Sequence, residues 1–102
     1  MKKLYSQMSR DELESEMLEN LEAAARAEFQ SQKELFERKY YTAKAYTLNP
    51  ADFPPGIYAV EGQPGTLFQL KYLNGIMGWG TVGAEAEASF LISMLTPVSH
   101  GG

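Results

Sequence analysis

The chain has 102 residues, 44% hydrophobic and 22% charged, with no cysteine. That length suits a single domain able to bury its own core, and the lack of cysteine excludes disulfides, thiolate nucleophiles and thiolate metal sites. The net charge of −4 is unevenly spread: residues 1–49 carry eight basic and nine acidic side chains, while residues 50–102 set Lys71 alone against Asp52, Glu61, Glu85 and Glu87, which disfavours a nucleic-acid partner because phosphate neutralisation needs clustered Lys and Arg.

The opening Met1-Lys2-Lys3-Leu4 is charged, but Arg, Asp and Glu arrive before any apolar stretch. A secretory leader needs an apolar run of about 7–15 residues at that point. The patch around Phe90–Leu95 is far too short to cross a bilayer. The expected address is therefore the cytoplasm, with no membrane partner.

Ser9-Arg10-Asp11-Glu12 reads as a capping box, with Met8 and Leu13 placed to close a hydrophobic staple over it. Asp11, Glu12 and Glu14 stand where the helix dipole favours negative charge. Leu13, Met17, Leu21 and Ala24 recur at helical spacing, with Leu18 and Ala25 beside them, and predict an amphipathic helix. Ser31-Gln32-Lys33-Glu34 offers a second capping box after a break near Phe29–Gln30. Leu35, Phe36, Tyr40, Ala43 and Tyr46 form the apolar stripe of the helix that follows. The spacing predicts a two-helix hairpin over residues 9–48. The competing reading is one helix of about 38 residues, longer than small domains usually hold.

Asn49-Pro50 ends the helical region, because a residue before proline is pushed out of the α conformation. Residues 49–56 form a proline-rich connector, and beyond them the apolar period changes to two. Ile57–Val60 is a short strand, Gly62–Gly65 is turn material, and Thr66–Leu73 alternates with Phe68, Leu70 and Tyr72 on one face. Asn74-Gly75 predicts a type I′ hairpin, with Ile76–Val82 returning antiparallel. In that register Tyr72 faces Met77, Leu70 faces Trp79 and Phe68 faces Thr81. Lys71 and Gln69 then pair with Gly78 and Gly80 on the opposite face. Ala84–Phe90 reads as a further strand and Ile92–Leu95 as a tight turn. Several short strands with glycines at bends suggest a small closed barrel over residues 57–97, ahead of a flexible tail at 98–102.

Tyr5-Ser6-Gln7-Met8, Leu48-Asn49-Pro50-Ala51-Asp52-Phe53, Lys71-Tyr72-Leu73-Asn74-Gly75 with Trp79-Gly80, and Ile92-Ser93-Met94-Leu95 together resemble the YfhH-like family of uncharacterised bacillar proteins. The likeness runs from about Tyr5 to Leu95. It implies an α+β fold in which an N-terminal helical hairpin packs on a small C-terminal SH3-like β-barrel. It also implies the loose label of transcriptional regulator that some members carry, and it brings no established active site to transfer. Gln30-Ser31 stands where the resemblance leads one to expect a glycine between the helices.

Chemistry-bearing residues are sparse. Gly78-Trp79-Gly80-Thr81-Val82-Gly83 spells G-x-G-x-x-G, but the dinucleotide fingerprint belongs to a strand–turn–helix inside a parallel βαβ unit. A strand returning from a hairpin does not supply that context, and bends in a barrel strand explain the glycines better. His100 is the only histidine and lies in the expected tail, so no transition-metal site is expected. Glu12, Glu16, Glu19 and Glu22 read as a solvated helix face. No serine has a histidine placed to activate it. No catalytic residue and no cofactor is expected, and the chain reads as a non-enzyme.

The tyrosines remain. Tyr40, Tyr41 and Tyr46 on the second helix, with Tyr58 and Tyr72 beyond it, suit either glue between elements or an aromatic shelf for a partner. The expected function is a non-catalytic interaction module that binds another protein or peptide through the second helix and the adjacent barrel face. The candidate contact residues are Tyr40, Tyr41, Lys44, Gln69, Lys71, Gly78 and Gly80. A homodimer is compatible with the same surfaces. A nucleic-acid-associated regulator using Lys33, Arg38, Lys39 and Lys44 is the alternative, although these four spread around the helix and form no basic stripe.

Overall fold

The computed structural model describes residues 3–98. Two helices precede a five-stranded antiparallel sheet, an α+β arrangement, and the chain divides into two compact units, residues 1–48 and 49–102.

In the first unit a single 3-10 turn, Tyr5–Gln7, leads to helix α1, Arg10–Arg26. The capping box forms as the sequence predicts: Ser9 Oγ accepts the Glu12 N–H at 3.2 Å, and Glu12 Oε1 accepts the Ser9 N–H at 3.1 Å. That backbone N–H, helped by the Lys3 ammonium at 3.1 Å, holds the Glu12 carboxyl below the usual carboxylate range. The box therefore contributes at neutral pH and is lost as pH falls through the lowered value.

Helix α2 spans Gln30–Ala45 and packs against α1, so the hairpin is formed and the single long helix is not. The reversal needs no glycine, because Ala27 and Phe29 both turn the chain with negative φ in extended conformations. The second capping box is a correction. Phe29 occupies the N-cap without a side-chain bond and Ser31 lies inside the first turn. Gln30 instead reaches Glu34 one turn on, at 3.3 Å.

The buried face of α1 is also rotated from the expected stripe. Leu13, Glu16, Asn20 and Ala24 are buried, whereas Leu18 and Leu21 are exposed. Asn20 can enter that face because its side-chain amide donates to the Glu16 carbonyl at 2.8 Å, and a buried amide without such a bond is costly.

The second unit opens with Asn49, whose side chain accepts the Ala51 N–H at 3.0 Å and caps the 3-10 turn Pro50–Asp52. Strands β1 (Gly56–Val60), β2 (Gln63–Asn74), β3 (Met77–Val82), β4 (Glu85–Leu91) and β5 (Leu95–Pro97) follow, with the 3-10 turn Ile92–Met94 before the last. Their order in the sheet is β4-β3-β2-β1-β5, all antiparallel. Among the described residues no ladder joins β4 to β5, so the sheet is not closed by hydrogen bonds. Of the expected tail, Val98 still donates to the Ile57 carbonyl; His100 lies outside the described residues.

One face of the sheet carries the core: Tyr58, Val60, Phe68, Leu70, Ala88 and Leu95, with Phe53, Leu73, Val82 and Phe90 packed against it. Phe68 meets Phe90 edge to face at 5.1 Å between ring centroids. Tyr58 stacks on Phe53 at 6.2 Å and donates its hydroxyl to the Pro54 carbonyl at 2.7 Å. Burial pushes the pKa of that phenol up.

The β2–β3 register differs from the expected one. The turn residues are Gly75 and Ile76, with Asn74 opposite Met77. Only Gly75 has positive φ (61°), and no residue other than glycine does among those described. A turn with positive φ at its first central position alone matches type II′ and not type I′. Gly75→Val should still strain the hairpin, because valine tolerates positive φ poorly. The expected cost is about 1–3 kcal/mol, read as a lower midpoint in urea with an unchanged slope.

Candidate functional site

A register shift between Leu70 and Tyr72 makes Lys71 an extra, bulged residue on β2. A bulge reverses the alternation of faces beyond it. Phe68 and Leu70 therefore point into the core, while Tyr72 emerges on the outer face, opposite Trp79. A second shift, between Gly80 and Val82 on the β3–β4 ladder, sets Ala86 and Glu87 against Thr81. The consequence is an open cleft of about 200 Å³ on the outer face. Lys71 and Tyr72 line it from β2, Trp79 and Gly80 from β3, Ala86 and Glu87 from β4.

Tyr72 is 59% exposed, and Trp79 is half-buried beside it. Directly opposed aromatics on one sheet face stabilise a ladder, but a ring left this open also presents a face to ligands. Lys71 and Glu87 bring one positive and one negative charge to the same cleft, both exposed, and among the described residues neither makes an ion pair. The lining offers two aromatic rings, one ammonium and one carboxylate. That set suits recognition through stacking and charge.

Comparison with known proteins places this sheet and hairpin in a defined group. Residues 3–96 match the family described as "Protein of unknown function (DUF1811)". The chain belongs to that family. It is 41% identical over 101 residues to "Uncharacterized protein YfhH" of Bacillus subtilis (strain 168), an alignment covering 93% of this chain and 96% of that protein. The resemblance stated from the sequence motifs is thus shown across nearly the full length of both chains.

The candidate residues named from the sequence fall in both units. Tyr40, Tyr41 and Lys44 lie on α2, all half-buried. The two rings meet edge to face at 5.0 Å, and the Lys44 ammonium stands 5.8 Å from the Tyr40 centroid. Gln69, Lys71, Gly78 and Gly80 lie on the sheet of the other unit. Gln69 accepts the Thr81 hydroxyl at 3.5 Å on the outer face, and Lys71 lines the cleft.

Gly78 and Gly80 require correction. The expected register put them on the face opposite the core; both are buried. A Cβ on Gly78 would come within 2.8 Å of Leu70 Cδ1 and 3.3 Å of Leu95 Cδ1, inside the core. A Cβ on Gly80 would collide with the Gln69 carbonyl oxygen. Close approach of their own sheet accounts for both glycines.

Trp79, Tyr72 and Glu87 are not among the candidate contact residues that the sequence suggests. A bulge-free register puts Tyr72 and Trp79 in the core, and nothing in the local sequence marks Lys71 as bulged.

Among the described residues there is no group of three or more His, Asp or Glu arranged to hold a metal ion. No helix there is long and apolar enough to cross a membrane.

Proposed function

We propose that the protein is a non-catalytic interaction module that holds an extended peptide segment of another protein in the Tyr72–Trp79 cleft, and that its sheet is an SH3-like barrel. The strand order β4-β3-β2-β1-β5, with one 3-10 turn delivering the chain to a short β5 beside β1, supports the SH3-like assignment. Such folds often use aromatic surface grooves for peptides, a likeness of architecture only.

The observation that carries the reading is the exposed Tyr72 ring paired with Trp79 across a cleft that also holds two unpaired charges. Small-molecule pockets usually run about 300–1,000 Å³ and enclose most of their ligand. An open cleft of about 200 Å³ suits one or two side chains of a peptide whose backbone stays outside. Both edges of the sheet are poorly suited to adding a peptide strand. β5 is three residues long and ends in Pro97, and β4 carries a bulge and two glutamates at its exposed end, all devices that blunt an edge. The face is thus the better docking surface. The half-buried Tyr40, Tyr41 and Lys44 of α2 are secondary in this reading. The cytoplasm is the compartment proposed for it.

Trp79 is the only tryptophan in the chain, so its emission reports the cleft directly. Short peptides selected from a random phage library should shift that emission on binding, and Tyr72→Ser should weaken them while the variant stays folded at the assay temperature, its melting temperature falling only by the small amount one lost cross-strand pair gives. Peptides that bind with Trp79 emission unchanged would contradict the proposal. So would duplex DNA binding that is sub-micromolar and steeply salt-dependent by fluorescence anisotropy, since that signature belongs to phosphate neutralisation.

A further inference from the structure

The cleft is asymmetric in charge, and its surroundings decide which peptide it prefers. Glu87 lies on the outer face diagonally across the ladder from Trp79: Trp79 faces Ser89, and Glu87 stands against Thr81, two residues further along β3. Diagonal neighbours on one sheet face are about 7–8 Å apart at the backbone, within reach of one long side chain placed between them. Beyond the cleft, residues 50–102 hold Asp52, Glu61 and Glu85 as well, against Lys71 alone. The field over this unit is negative, which draws in cations and repels acidic segments and nucleic acid.

We propose that the occupant of the cleft is an arginine side chain of an extended peptide, with its guanidinium stacked on the Trp79 ring and paired with Glu87. Arginine fits this set better than lysine. Its planar fork covers an aromatic face while leaving N–H groups in plane for a carboxylate, and it is the more weakly hydrated cation. Its aliphatic stem lies along Tyr72 and Ala86, as long cationic side chains do on apolar surface. Lys71, at the opposite side of the cleft, is free to meet a carboxylate or the C-terminal end of the peptide. It also opposes a second cation, so the cleft takes one arginine and not a basic cluster. The inference rests on the peptide reading above and adds the chemistry of the side chain recognised.

The test uses the full-length protein and the phage-selected peptides, each remade with its arginine replaced by citrulline, which keeps the shape and removes the charge. Arginine should recur among the selected peptides, and citrulline should weaken binding about tenfold through combined loss of the cation–π and ion-pair contacts. Glu87→Gln should weaken the arginine peptide about threefold and leave the citrulline peptide unaffected. Raised salt should narrow the difference between the two peptides. Equal binding of arginine and citrulline peptides, with Trp79 emission still shifting, would overturn the arginine assignment and leave the peptide cleft standing. Failure of every selected peptide to shift that emission would overturn both. Selection of acidic peptides, or stronger quenching of Trp79 by oligothymidylate than by any arginine peptide, would also overturn the assignment.

Discussion

Phe68→Ala should destabilise the sheet by about 3–5 kcal/mol, the range for removing a buried aromatic side chain. Phe68 is fully buried, sits in the centre of β2 and meets Phe90 edge to face. Truncation loses the transfer free energy of the ring and leaves a cavity that Tyr58, Leu70 and Ala88, held on three different strands, cannot all close. A unit of this size has little reserve, since whole domains are stable by only about 5–15 kcal/mol. For a two-state transition the midpoint of thermal unfolding should fall by roughly 15–30 °C. Phe68→Leu, which keeps most of the volume, should cost much less. Equal midpoints for Phe68→Ala and the parent would mean that the core is not where the sheet places it.

Gly80→Ala should be nearly as damaging, by about 3 kcal/mol or more. A Cβ there meets the backbone of β2 at the Gln69 carbonyl, which belongs to the central ladder and cannot rotate away as a side chain can. Overpacking usually costs about 1–3 kcal/mol, and a rigid obstacle takes it to the upper end of that range or past it. Gly78→Ala should cost less, because the atoms in its way are methyl groups of Leu70 and Leu95 that can change rotamer. Gly56→Ala serves as the control. Its φ is ordinary and its Cβ would find only the Pro54 carbonyl, at 4.0 Å, so its effect should be within about 0.5 kcal/mol. The expected order in urea is therefore Gly80, then Gly78, then Gly56. Gly80→Ala folding as well as Gly56→Ala would contradict the inward placement of β3.

Both substitutions bear on what the sequence could and could not convey. Local signals carry where the chemistry is local: the Ser9–Glu12 box forms and the helical break falls at Ala27–Phe29. The Gly62–Gly65 turn is an exception, because β2 already begins at Gln63 and runs through Pro64 and Gly65. Signals that depend on counting across a turn do not carry. A hairpin centred on Gly75-Ile76 and one bulged residue at Lys71 moved Trp79 and Tyr72 out of the core, and Gly78 and Gly80 into it. A bulge has no obligatory side-chain type, so the alternation of apolar residues on β2 looked continuous through Tyr72. The stripe on α1 failed for a different reason. The buried arc carries Glu16 and Asn20 between Leu13 and Ala24, so Glu16 is not on the solvated face expected of it, and the Asn20 amide donates to the Glu16 carbonyl. Of the residues named from the sequence, Lys71 and Gly80 line the cleft and Gln69 does not; the aromatic pair becomes visible only with the register.

The proposed function stands or falls on that aromatic pair. Two-dimensional amide NMR of the labelled protein, titrated with a phage-selected peptide, locates the contact residue by residue. Peptide binding should move the amides of Lys71, Tyr72, Trp79, Gly80, Ala86 and Glu87, which line the cleft, together with the Trp79 indole N–H. Shifts confined to α2, or spread evenly over the sheet with the Trp79 indole unmoved, would contradict the account.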